Sequence, residues 1–174
     1  MSANEYHFVT AWRVEGTVEE VSAILGDPLG LMRWWPSVYL SVLEIEPGGP
    51  DGAGRVVELL TKGRLPYRLR WSFRVTESRR PYGFSLEAWG DFVGRGVWTF
   101  APDGAFTNIA YDWKILAEKP LLRRLSFLMK PIFSWNHRWA MARGEESLRA
   151  ELIRARAQAG RPAGAGQQSA AQTY

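Results

Sequence analysis

A run of short alternating strands that ends in one long helical segment restricts what this chain can fold into. The segment runs from Pro120 to Arg156. It carries the aromatic run Phe133-Ser134-Trp135-Asn136-His137-Arg138-Trp139 and closes in Glu145-Glu146-Ser147-Leu148-Arg149-Ala150-Glu151-Leu152. Strands of this kind cannot bury their apolar faces without a partner. A long helix laid across one curved sheet satisfies both elements.

The strands are read from period-two alternation. Tyr6, Phe8, Thr10, Trp12 and Val14 fall on one face of the first, with His7 on the other. Gly16 ends it, and Thr17-Val18-Glu19-Glu20 is a capping box that opens a short amphipathic helix over Val18, Val21, Ile24 and Leu25. Leu29 to Trp35 reads as a second short helical piece, stopped by Pro36. Strands are then expected at Val38–Ile45, Arg55–Lys62, Tyr67–Val75, Tyr82–Trp89, Val97–Phe100 and Phe106–Leu116, with Gly90 to Gly94 as a turn. This spacing predicts an antiparallel meander rather than βαβ units.

Within the long segment, His137, Met141, Gly144 and Leu148 share one helical face, and Leu128, Ile132, Trp135, Trp139 and Ala142 share another. Gly144 has no side chain and would let the helix come close to the sheet, which turns the His137 face inward. Pro131 is expected to break the helix. Leu121 to Lys130 would then be a lid-like piece, with the gripped helix starting at Ile132. Residues 1–157 read as one domain, and 158–174 as an Ala/Gly/Gln-rich disordered tail.

Composition removes several function classes. With no cysteine, disulfides, thiolate catalysis and cysteine-bound metals are excluded. Only His7 and His137 offer imidazoles, and no His or carboxylate cluster has ligand spacing, so no metal site and no cofactor is expected. There is no GxSxG, and Gly94-Arg95-Gly96 lacks the rest of a phosphate loop. Net charge is +4, too mild to imply nucleic acid. Arg68, Arg70 and Arg74 make an outward stripe flanked by Glu58, Glu87 and Asp112, which reads as a solvated face with cross-strand ion pairs. Met1–Glu5 is polar, and no apolar run approaches the ~18 residues of a membrane span, so a cytoplasmic protein without integral membrane association is expected. Arg123, Arg124 and Lys130 are candidates for contact with anionic lipid.

Three stretches carry a family resemblance: the opening strand with Thr17-Val18-Glu19-Glu20-Val21, then Leu31-Met32-Arg33-Trp34-Trp35-Pro36, then Asn136 to Leu148. With the order of elements over residues 5 to 155, the chain resembles the START-related helix-grip superfamily (SRPBCC, polyketide cyclase/dehydrase-like). The resemblance implies an α+β fold, with a seven-stranded antiparallel sheet wrapped around the C-terminal helix and two short helices between strands 1 and 2. It also implies a ligand cavity between sheet and helix. Members bind lipids, quinones, hormones or polyketides, and a few catalyse cyclisation or dehydration.

Nine tryptophans in one small domain suggest either a bulky core or an aromatic cavity. Trp71, Phe73, Trp98, Tyr111 and Trp113 fall on inward faces, and Trp34 and Trp35 sit where the resemblance places the cavity mouth. With His137 and Met141 they form the candidate ligand-binding set. Three readings stay open. The chain is a binding protein for a small hydrophobic, ring-containing molecule, a cyclase or dehydratase in which Tyr39, Tyr111 or His137 moves protons, or a protein-interaction module with a filled core. No protein partner can be named.

Overall fold

The computed structural model describes residues 5–117 and 126–160, with side chains placed for 5–116 and 131–160. Of the sequence-predicted tail, only residues 158–160 are described, and the helix runs through the first two of them; of the Leu121–Lys130 piece, only the helical backbone of 126–130 is described. Strand β1 (Glu5–Glu15) is followed by α1 (Val18–Leu25), a 3₁₀ turn (Pro28–Gly30) and α2 (Leu31–Trp34). Six strands come next: β2 (Tyr39–Glu46), β3 (Val56–Lys62), β4 (Arg68–Ser78), β5 (Gly83–Gly90), β6 (Phe92–Asp103) and β7 (Phe106–Ala117). Helix α3 (Ser126–Ala159) closes the described chain. All seven strands form one antiparallel sheet in the order β1-β7-β6-β5-β4-β3-β2. This is the α+β helix-grip arrangement, with two short helices between strands 1 and 2.

Alternation drives the burial. On β1, Tyr6, Trp12 and Val14 are buried while His7, Val9, Arg13 and Glu15 are exposed. The capping box is formed as its residues require: Thr17 Oγ1 accepts from the Glu20 N–H (3.2 Å), and Glu20 Oε2 accepts from the Thr17 N–H (2.8 Å). On the outer face, Arg70 pairs with Glu58 (2.6 Å) and Arg74 with Glu46 (3.4 Å). Asp112 does not join that stripe. It bonds His7 (3.1 Å) across the β1–β7 pair.

Two sequence expectations are corrected. Strand β6 begins at Phe92 and runs to Asp103, so Gly90–Gly94 is no broad turn and Gly94 and Gly96 lie inside the strand. A Cβ on Gly96 would lie 2.9 Å from the Tyr111 hydroxyl oxygen, so glycine is present to admit a ring. Helix α3 also passes through Pro131 unbroken. Pro131 is exposed and only the sixth residue of the helix, so its missing N–H costs one helical bond near the N-terminal end and leaves the rest of the ladder intact.

What divides α3 is its neighbours. The C-terminal half is tied to its neighbours by the ion pairs of Arg156 with Glu20 (2.7 Å) and of Glu151 with Arg33, and by Glu145, which accepts from the Arg13 backbone N–H (3.2 Å). Leu148 and Leu152 are fully buried there. The N-terminal half stands over the sheet on Phe133, His137 and Met141. Gly144 does bring the helix close, but to the Trp35 ring at the end of α2 rather than to a strand. A Cβ at that position would lie 2.3 Å from Trp35 Cζ2.

Candidate functional site

Between the N-terminal half of α3 and the sheet lies a cavity with two lobes that share a waist. Trp35, Tyr39, Trp71, Tyr111 and Met141 line both lobes. The lobe under α3 has a volume of about 170 Å³ and adds Phe8, Tyr67, Phe92, Trp113, Phe133 and His137. The other, of about 90 Å³, lies under α1 and adds Leu31, Phe73, Leu86 and Trp98. An apolar void of ~150 Å³ takes a benzene ring, so the larger lobe has room for at least one ring.

The walls are built by the strand period. Tyr111 and Trp113 are two apart on β7, and their rings stack with centroids 5.6 Å apart. Trp98 on neighbouring β6 is the register partner of Tyr111, and their rings stack at 4.0 Å and 15°. Gly96, also on β6, leaves the space that the Tyr111 hydroxyl occupies. Trp35 meets Trp12 edge-on (5.8 Å) and Tyr39 edge-on (5.2 Å), closing the wall on the helical side. Such offset and edge-to-face pairs hold aromatic side chains in fixed positions, so the lining is a rigid surface.

Charged and polar side chains share this lining, Asp51, Arg55, Ser78 and Arg80 in the smaller lobe and Thr61, Lys62 and Asn136 in the larger. Trp71 Nε1 donates to Thr61 Oγ1 (3.1 Å) and is satisfied. Trp35 Nε1 and His137 Nε2 are buried and find no partner among the described residues. An unmatched buried polar atom costs on the order of 1–3 kcal/mol, so both favour a ligand that supplies the missing bond. The His137 ring stacks on Phe8 (4.1 Å, 16°). Burial, with a smaller contribution from Arg138, pulls its pKa down to about 4, so the imidazole is neutral at pH 7. Burial pushes Tyr39 and Tyr111 well above the usual phenol range, Tyr111 further because of Tyr39, and holds Tyr67 up at about 12. The phenols of Tyr39, Tyr67 and Tyr111 are thus protonated at neutral pH.

The structure brings Trp35, Trp71, Phe73, Trp98, Tyr111, Trp113, His137, Met141 and Tyr39 to this cavity. Trp34 is the exception: it is buried behind Trp35, stacked on it at 5.4 Å, and lines neither lobe. Sequence reasoning passed over Phe8, Tyr67, Phe92 and Phe133. Phe8 and Tyr67 fall on the inward-alternating faces of their strands in the sequence reading, though not in the ligand-binding set. Among the described residues no group of three His, Asp or Glu is placed to hold a metal ion. No helix among them is long and apolar enough to cross a membrane.

Known structures repeat this architecture. An aromatase/cyclase, Zhui, from Streptomyces sp. R1128 superposes with a TM-score of 0.72 at 16% identity, over 90% of this chain and 98% of that one. TTHA0849 from Thermus thermophilus gives 0.65 at 18% identity, covering 84% and 99%. A START superfamily protein from Mycobacterium smegmatis gives 0.64 at 13%, covering 86% and 98%. At these identities the likeness concerns the fold. No curated protein matches the sequence. The sequence profile described as polyketide cyclase/dehydrase and lipid transport matches residues 6–152, nearly all of the domain described above. The chain belongs to that family.

Proposed function

We propose that this protein binds an apolar, ring-containing small molecule, of the lipid, quinone or polyketide class, in the two-lobed cavity under α3. One observation carries the reading. Rigid aromatic walls surround two buried polar atoms, Trp35 Nε1 and His137 Nε2, that the described residues leave unmatched. A ligand carbonyl would accept from the indole N–H, and the neutral imidazole would take a second polar group. Burying roughly 300 Å² of such a ligand gives about 7 kcal/mol gross at ~25 cal/mol per Å². Association costs at least about 4 kcal/mol of that. Shape alone therefore gives modest affinity, and the polar atoms select the ligand.

The test is a titration of intrinsic tryptophan fluorescence with naphthoquinones, flavonoids and fatty acids, followed by native mass spectrometry. Ring compounds are expected to quench at micromolar concentration, and Met141→Trp, which fills the waist, is expected to abolish the effect. If no class of ligand quenches or is retained, the binding reading fails.

A cyclase or dehydratase activity in the same cavity is the second reading, favoured by the juxtaposition of Tyr39 and Tyr111. Their protonated hydroxyls suit hydrogen bonding to an enolate that develops during ring closure. His137 is a weak base at neutral pH with a pKa of about 4, and no carboxylate among the described residues bonds it. Tyr111→Phe would remove turnover while retaining binding if chemistry occurs here.

A further inference from the structure

We propose that the outer face of the sheet, across β5, β6, β7 and β1, is a docking surface for an acidic amphipathic helix of a partner protein. An open groove of about 740 Å³ lies on this face and shares only Tyr6 and Ile115 with the ligand cavity. Strand register sets its floor in two rows. Lys114 on β7 is opposite Arg95 on β6 and His7 on β1, and two residues further on Leu116 is opposite Val93 and Glu5. Trp89 stands on β5 two residues beyond Glu87, which is opposite Arg95. Alternation turns these side chains outward. Arg95, Lys114 and His7 are exposed, Trp89 and Val93 are each 42% exposed, and Leu116 is half-buried. An apolar row of Trp89, Val93 and Leu116 thus runs beside a basic row of Arg95, Lys114 and His7.

The basic row sets the charge of the partner. Like charges directly opposite on neighbouring strands oppose their pairing. Arg95 and Lys114 nonetheless stand opposite, and neither has an ion pair among the described residues, Arg95 not even with Glu87 beside it. The one carboxylate on β7, Asp112, is taken by His7 (3.1 Å). Partner carboxylates would relieve this repulsion. A second copy related by a two-fold axis through the groove would set Arg95 and Lys114 against their own counterparts instead. Glu87 and Asp112 border the basic row, so a continuous polyanion such as RNA would run onto carboxylates, whereas a short acidic stretch would not.

The two rows also set the partner's shape. β5, β6 and β7 are interior strands whose backbones are already paired on both sides, so a partner cannot add a strand here and meets side chains only. Strands lie ~4.8 Å apart, so each row spans roughly 15 Å over the four strands. That is about ten residues of α-helix at ~1.5 Å per residue. Along each strand the rows are two residues, about 7 Å, apart. A helix laid across the strands would therefore set its apolar stripe on Trp89, Val93 and Leu116 and an acidic flank on Arg95 and Lys114. Exposed tryptophan beside arginine is a composition enriched where proteins meet.

The experiment is fluorescence anisotropy of three labelled helical peptides titrated with the full chain. Each carries a leucine stripe, flanked by glutamate in the first, glutamine in the second and lysine in the third. Binding is expected for the glutamate peptide alone and should weaken at about 0.5 M salt. An exposed charge pair contributes up to about fivefold in affinity. Arg95→Glu and Lys114→Glu should each weaken binding by at least about that factor, and the double reversal should transfer binding to the lysine peptide. Trp89→Ser should weaken binding of the glutamate peptide too, whereas Arg143→Gln, on α3, should leave it unchanged. Lys114→Glu alone should also raise the urea midpoint, because its repulsion with Arg95 becomes attraction. Equal binding of the glutamate and glutamine peptides, binding of none, or no transfer on double reversal would each overturn the proposal. So would tighter binding of an RNA oligonucleotide, or self-association of the chain that Lys114→Glu abolishes.

Discussion

Replacing a glycine inside an exposed helix by alanine ordinarily stabilises a protein by roughly 0.5–1 kcal/mol, because the unfolded chain loses freedom. Gly144→Ala is expected to do the opposite. Its Cβ would stand 2.3, 2.6 and 2.7 Å from three atoms of the Trp35 ring, inside any tolerable contact. Trp35 cannot swing aside cheaply, because Trp12, Trp34 and Tyr39 hold it on three sides at 5.8, 5.4 and 5.2 Å. Overpacking of this kind costs about 1–3 kcal/mol. Set against the intrinsic gain, the net loss is up to about 2.5 kcal/mol, or a fall in Tm of up to about 10 °C for a chain of this size. Urea unfolding of wild type, Gly144→Ala, Trp35→Phe and the double variant separates the terms. In the Trp35→Phe background the shorter ring leaves room, and the alanine should become neutral or stabilising. A rise in Tm for Gly144→Ala alone, or the same loss in both backgrounds, would refute the packing argument.

Two further outcomes follow from the same site. An unfolded histidine titrates near pH 6.5, whereas folded His137 titrates at about 4. Between those values the unfolded chain takes up a proton that the folded chain does not. Stability is therefore complete above about pH 6.5 and falls as pH drops toward 4. His137→Gln should show a shallower fall than wild type between pH 7 and 4.5, and parallel curves would show that the ring is not buried neutral. Asn136→Ala removes the acceptor shared by two backbone N–H groups and should cost about 1 kcal/mol. Hydrogen exchange at Arg64 and Leu65 should rise selectively, and protection as in wild type would show that the latch is not formed.

How far the sequence reached depends on which physical signal each element carries. Strand β4 was legible because water covers Arg68, Arg70 and Arg74 on one face while Trp71 and Phe73 enter the core on the other. Strand β6 was under-read because Gly94 and Gly96 look like turn residues. They are there for close approach, Gly94 to the β7 backbone and Gly96 to the Tyr111 ring. Pro131 misled for a related reason. Its cost is local, and a helix held along its other half by buried leucines and ion pairs can carry one missing bond. The inward face of α3 was readable from Gly144, though the ring it admits lies on α2, a contact that no spacing encodes. Trp34 and Trp35 are adjacent in sequence, and only three-dimensional packing decides that the second faces the cavity and the first supports it.

The strand order also sets a sequence of events in time. Among the described strands β1 is the first made, and its partner there is β7, with Glu5 opposite Leu116 and Glu15 opposite Phe106. Until β7 has been synthesised, Tyr6, Trp12 and Val14 have no sheet to join. The β2–β6 meander can pair as it emerges, each strand with the one before. The nascent domain thus carries an apolar, unpaired strand until β7 emerges, the condition under which aggregation competes with folding. Any product that stops short of Phe106 retains that strand without its partner. It is the arrival of β7, rather than of the gripping helix, that closes this sheet.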